Sequence, residues 1–173
     1  MTAAVRCLVA LLALQLTPLA SAGDGDGDGT PDGKKSYGGS GHLIQLKLPG
    51  DNRTLAGLEI HGSRYGTPAP PAEKFLIYVM NADRSKVTAV EMAPYSLFER
   101  GEERWVAIPF EKPVEIPADG WIAIDFRAGR TKGVYVSYDA HAGAKHSMSG
   151  LPGLDAKEVE FEGDWMIRPL AQK

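Results

Sequence analysis

The sequence predicts an all-β protein, an antiparallel β-sandwich of jelly-roll-like type with about eight or nine strands. Three observations carry this. From His42 onward, apolar residues recur at every second position rather than every third or fourth. Turn chemistry separates these runs at short intervals. The 20 glycines and 12 prolines suit strands and turns, and no stretch long enough for three helical turns carries a helical stripe.

The elements follow in order. Ile44, Leu46 and Leu48 alternate with Gln45 and Lys47, and Leu58 and Ile60 with Glu59 and His61. Phe75 to Met80 is apolar on both faces, as in a central or covered strand. Lys86 to Met92 follows it. Val106, Ile108 and Phe110 alternate with Trp105, Ala107 and Pro109. Ile122, Ile124 and Phe126 alternate with Trp121, Ala123, Asp125 and Arg127. Val134 and Val136 flank Tyr135, and Trp165 to Leu170 completes the set. Such alternation marks strands with one face inward and one outward. Turns are expected at Pro49–Asn52, Asn81–Asp83, Glu99–Glu102, Pro117–Gly120 and Glu162–Asp164, and Pro68–Pro71 reads as a stiff linker.

Two segments precede the sandwich. Residues 1–22 combine a lone basic Arg6, an apolar run from Leu8 to Leu16 and the small residues Ala20-Ser21-Ala22. That is the order of a secretory signal peptide cleaved after Ala22. The run falls short of the roughly 20 residues a membrane span needs, so no span is expected in the mature chain. The protein is therefore expected to be secreted or periplasmic. Its single cysteine, Cys7, leaves with the signal. The exported domain, residues 42–173, must then be held by its core without disulfides.

Residues 23–41 form a Gly/Asp-rich flexible lead-in with no Val, Ile, Leu or Phe, and are expected to lie outside the core. Within it, Asp24, Asp26, Asp28, Gly29 and Asp32 have the spacing D-x-D-x-D-G-x-x-D. Alternate carboxylates converging on a hard cation, with glycine at the sharp turn, are what Ca²⁺ requires. The segment resembles the calcium loops of EF-hands, dockerins and thrombospondin type 3 repeats. It departs from the EF-hand at Lys35, which stands where a bidentate Glu is needed. Both a weak Ca²⁺ site and a solvated spacer remain open.

His61-Gly62-Ser63-Arg64-Tyr65-Gly66, Pro94 to Gly101 and Gly163 to Arg168 resemble segments of uncharacterised secreted bacterial β-sandwich domains. The resemblance implies an exported sandwich and brings no activity or site with it.

Net charge is -3 and pI ≈ 5.8, so there is no general electrostatic case for nucleic acid. On the predicted register Glu59, His61, Trp105, Trp121, Asp125, Arg127, Tyr135, Ser137 and Asp139 point away from the Ile/Val face. Flat aromatics that stack on sugar rings, beside carboxylates and arginine that bond hydroxyls, have the composition of a glycan site. Trp121, Asp125, Arg127 and Tyr135 are the expected binding face. Arg64 and Tyr65 stand at its edge, in a loop spanning His61–Gly66 that two glycines allow to turn. Alternatively the aromatics are covered and Arg64 caps carbonyls.

The expected function is a non-catalytic binding module for a glycan or a cell-envelope partner. One alternative is a small hydrolase using Asp, His and Glu groups, favoured if Glu59, His61, Asp125 and Asp139 share a cleft. Another is a structural or adhesion domain with no small ligand. His141 and His146 lie near Asp139, but neither H-E-x-x-H nor G-x-S-x-G occurs.

Overall fold

A computed structural model describes residues 28–48, 51, 53–140 and 145–170. The predicted signal segment, Asp24, Asp26 and His141 lie outside the described residues.

Among the described residues the regular structure is nearly all strand, as the period-two pattern requires. The strands are β1 (Gly33–Lys35), β2 (His42–Gln45), β3 (Thr54–Gly66), β4 (Lys74–Met80), β5 (Val87–Pro94) and β6 (Arg104–Glu115). They continue with β7 (Trp121–Asp125), β8 (Lys132–Asp139), β9 (Ser147–Ser149), β10 (Lys157–Glu158), β11 (Asp164–Trp165) and β12 (Ile167–Pro169). Among the described residues a single 3₁₀ turn, Tyr95–Leu97, interrupts them. The 12 strands among the described residues exceed the eight or nine expected. The surplus comes from β1, β9 and β10, too short to show a period, and from an interruption at Met166 that splits the last strand.

Two antiparallel sheets form. In sheet I, β8 lies between β1 and β3, and β6 closes the far edge beside β3. Sheet II runs β10-β9-β2-β7-β4-β5. From β2 to β9 the chain changes sheet at every connection except the β4–β5 hairpin, which gives the jelly-roll character.

Sheet I forks. β8 pairs with the C-terminal half of β3, from Gly62↔Val136 to Gly66↔Lys132. Beyond that point β11 pairs with β8 and β12 with β3. Met166 bridges the fork: its N–H donates to the Ser137 carbonyl at 2.9 Å, and its carbonyl accepts from the His61 N–H at 2.9 Å.

The inward residues of both sheets merge into one core. It contains Leu58, Ile60, Ile108, Val134 and Val136 from sheet I, and Ile44, Phe75, Ile77, Ile122 and Ile124 from sheet II. At one end Phe75, Tyr95, Phe98 and Phe126 pack ring on ring, and the Tyr95 hydroxyl donates to the Phe126 carbonyl.

Three expectations are corrected. The lead-in does not stay wholly outside the fold: β1 pairs with β8, and Tyr37 packs on the core. Backbone pairing does not need an apolar face, so composition alone misses it. His61–Gly66 is not a loop but the end of β3. A side chain at Gly62 or Gly66 would collide with the carbonyls of Tyr135 or Thr131, so these glycines let β8 approach. Lastly, β7 stops at Asp125, and Arg127 leaves the strand register at φ 44.

Candidate functional site

Outward positions on neighbouring strands of sheet I build one continuous polar and aromatic surface. Glu59, His61, Ser63 and Tyr65 alternate outward along β3. The register sets Trp105 of β6 opposite His61, Arg168 of β12 opposite Glu59, and Tyr135 of β8 opposite Ser63.

At one end the Arg168 guanidinium donates to Glu59 at 2.7 Å and lies 3.9 Å from the centre of the Trp105 ring. His61 meets Trp105 edge-on at 5.4 Å. Its Nδ1 lies 2.8 Å from the Ser137 hydroxyl, across the fork. Burial lowers the His61 pKa; Glu103 opposes the shift and Arg168 adds to it. The imidazole is therefore biased toward its neutral form.

At the other end Glu103, just before β6, accepts hydrogen bonds on one oxygen from Ser63 at 2.8 Å and from Lys34 of β1 at 2.5 Å. The Lys34 ammonium also lies 5.2 Å from the centre of the Tyr135 ring. Tyr65 sits against Tyr135 at 4.6 Å between rings, and Ser36 donates to the Tyr65 hydroxyl at 3.3 Å. Burial is the largest influence on Glu103 and raises its pKa, but the bonds from Lys34 and Ser63 prevail and the net shift is downward. Glu103 is thus held as a carboxylate.

The residues expected to share a binding face are divided between the two sheets. Tyr65 and Tyr135 belong to the surface just described. Trp121 and Asp125 lie on the outside of sheet II. There Trp121 donates to the Ala82 carbonyl at 3.1 Å and the Arg84 guanidinium stands 5.0 Å from its ring centre. Asp125 accepts from the Arg127 N–H at 2.7 Å, which turns the chain after β7. Arg127 is exposed, with Glu73 4.0 Å away. Arg64 occupies an inward position of β3, 8% exposed, and its guanidinium donates to the carbonyls of Thr67 at 2.7 Å and Pro68 at 2.5 Å. It caps the linker to β4, the carbonyl-capping alternative.

Glu59, His61, Asp125 and Asp139 do not converge in a cleft. Glu59 and His61 lie at the Trp105 end, and Asp125 is on the other sheet. Asp139 accepts from the Gly29 N–H at 2.9 Å, at the end of β8. Of the aspartate loop, Asp28 accepts from the Thr30 N–H at 2.8 Å and Asp32 from the Ala140 N–H at 2.7 Å. Gly29 supplies the turn at φ 76. Among the described residues no group of three or more His, Cys, Asp and Glu side chains is arranged to hold a metal ion. None of the described helices is long and apolar enough to cross a membrane.

The period of two sets Trp105, His61, Glu59 and Ser137 outward but does not join them to Arg168, Ser63, Glu103 or Lys34. Arg168 and Lys34 come from distant segments; Ser63 and Glu103 lie two residues from His61 and Trp105, but only strand register brings them to each other and to Lys34. Comparison with protein-family models, curated proteins and solved structures finds no match for the chain.

Proposed function

We propose that the chain is an exported, non-catalytic binding module for a glycan, and that its ligand face is the outer surface of sheet I. The observation that carries this reading is the Trp105–His61–Arg168–Glu59 group continuing into Tyr135, Tyr65, Ser63 and Glu103. A half-buried indole, one face of it covered by Arg168, offers its remaining surface to a sugar ring, and the flanking carboxylates, guanidinium and tyrosine hydroxyls supply donors and acceptors for its hydroxyl groups. The sheet beneath fixes these groups before any ligand arrives, which limits the ordering entropy lost on binding.

Retention on insoluble polysaccharides and a glycan array test the proposal. Trp105→Ala is expected to weaken binding at least about fivefold, as removal of a central aromatic anchor does. Trp121→Ala, on the opposite sheet, is expected to leave binding unchanged. Equal binding by Trp105→Ala and the unsubstituted protein, or no retained glycan, overturns the reading.

A further inference from the structure

The Glu103 end of this face already holds an occupant, and the occupant belongs to the chain. Lys34 projects from β1, an edge strand of three residues with β8 as its partner. Its ammonium meets a carboxylate oxygen of Glu103 at 2.5 Å and the Tyr135 ring at 5.2 Å. A carboxylate beside an aromatic ring is the chemistry that recognises an ammonium group.

The two sides of this contact differ in rigidity. Ser63, which fixes the same Glu103 oxygen at 2.8 Å, is 2% exposed. Tyr135 is braced by Tyr65. The Lys34 side chain is 44% exposed and can swing into water about its own bonds with no change in the backbone. The receptor side is therefore built in, and the lysine is a displaceable plug.

We propose that Glu103, Ser63 and Tyr135 form a primary-ammonium subsite, which Lys34 fills in the free protein and an amino sugar bearing an unacetylated amine fills in the complex. The inference rests on the glycan reading and narrows its ligand to a cationic polysaccharide. An amino sugar is favoured over a lysine side chain because the subsite runs into the Trp105 surface, where the next sugar rings would lie. Displacing Lys34 exchanges one ammonium–carboxylate contact for another, so the ligand gains its ring contacts without leaving Glu103 as an unpaired, partly buried charge.

The test uses a glucosamine hexamer, its fully N-acetylated counterpart and hexalysine, with binding measured by calorimetry. Lys34→Gln is expected to bind the glucosamine hexamer about two- to fivefold more tightly, because an exposed ion pair of this kind competes only weakly. Glu103→Gln is expected to bind it at least about tenfold more weakly, and Glu103→Asp to recover part of the loss. Melting curves matching the unsubstituted protein establish that the variants fold. Unchanged or weaker binding by Lys34→Gln overturns the proposal, and so does hexalysine bound as tightly as the sugar. If the N-acetylated or a neutral glycan binds through Trp105 while the Lys34 and Glu103 variants behave as wild type, the ammonium subsite falls and the glycan reading stands. If no glycan binds, both fall.

Discussion

His42 shows how much one side chain can impose on this fold. It is 1% exposed and enclosed by the rings of Tyr37, Phe126 and Trp165. Its Nε2 lies 3.2 Å from the Lys35 carbonyl, which can only accept, so Nε2 carries the proton. Nδ1 is buried without a partner. Protonating Nδ1 would place a charge and an unsatisfied donor in an apolar cage, and burial accordingly lowers the pKa to about 4, with the Lys35 bond opposing. The folded pKa lies below the unfolded value of 6.5, so the unfolded chain takes the proton first. His42 therefore costs no stability above pH ~6.5, and stability falls as the pH drops from there toward ~4, by up to about 3 kcal/mol. Urea denaturation across that window is expected to show the loss. His42→Phe, which cannot titrate, should flatten this part of the profile. An unchanged slope in the variant would assign the pH dependence to other groups.

At the scale of elements, the two additions to the sandwich are held by different means. The β11–β12 segment enters the fork of sheet I through Gly163, at φ 93, where a side chain would run into the Asp139 carbonyl. Gly163→Ala thus meets both backbone strain and a collision, and should lower stability by more than about 1 kcal/mol in thermal or urea melts. A neutral substitution would show that the fork does not depend on this close approach. β1 has no apolar stripe and is held by backbone pairing and end contacts, among them Asp32 to the Ala140 N–H at 2.7 Å. Asp32→Ala removes a charge-assisted bond at an exposed position, with an expected cost of about 1 kcal/mol. That should appear as roughly fivefold faster exchange of the β1 amides that donate to β8, with the melting midpoint of the sandwich little altered. Unaltered exchange would mean that pairing with β8 holds β1 without the aspartate.

For the whole molecule, the sequence was legible where a residue's environment depends on its immediate neighbours. Ile122 and Ile124 read as inward and Trp105 as outward because the pleat alternates strictly. It was not legible where distant segments meet. Nothing around Lys34 indicates Glu103, and nothing in Trp165–Leu170 indicates a wedge between two strands, because register depends on the pairing of remote residues. The same long-range character shapes the energetics. Phe126 lies 4.8 Å from Phe75, 5.7 Å from Phe98 and 5.5 Å from His42 between ring centres, and belongs to the core cluster that both sheets line. Phe126→Ala is expected to cost about 3–5 kcal/mol through lost burial and an unfilled cavity. Because the inward faces form one cluster, that loss should fall on both sheets together. The three tryptophans report on this independently of the backbone: Trp105 on sheet I, Trp121 on sheet II and Trp165 in the core. Tryptophan fluorescence and far-ultraviolet circular dichroism should give coincident unfolding curves in both proteins, shifted equally by the substitution. Curves that separate in Phe126→Ala would instead show that one sheet holds its structure after the other is lost, and that the aromatic end does not couple them.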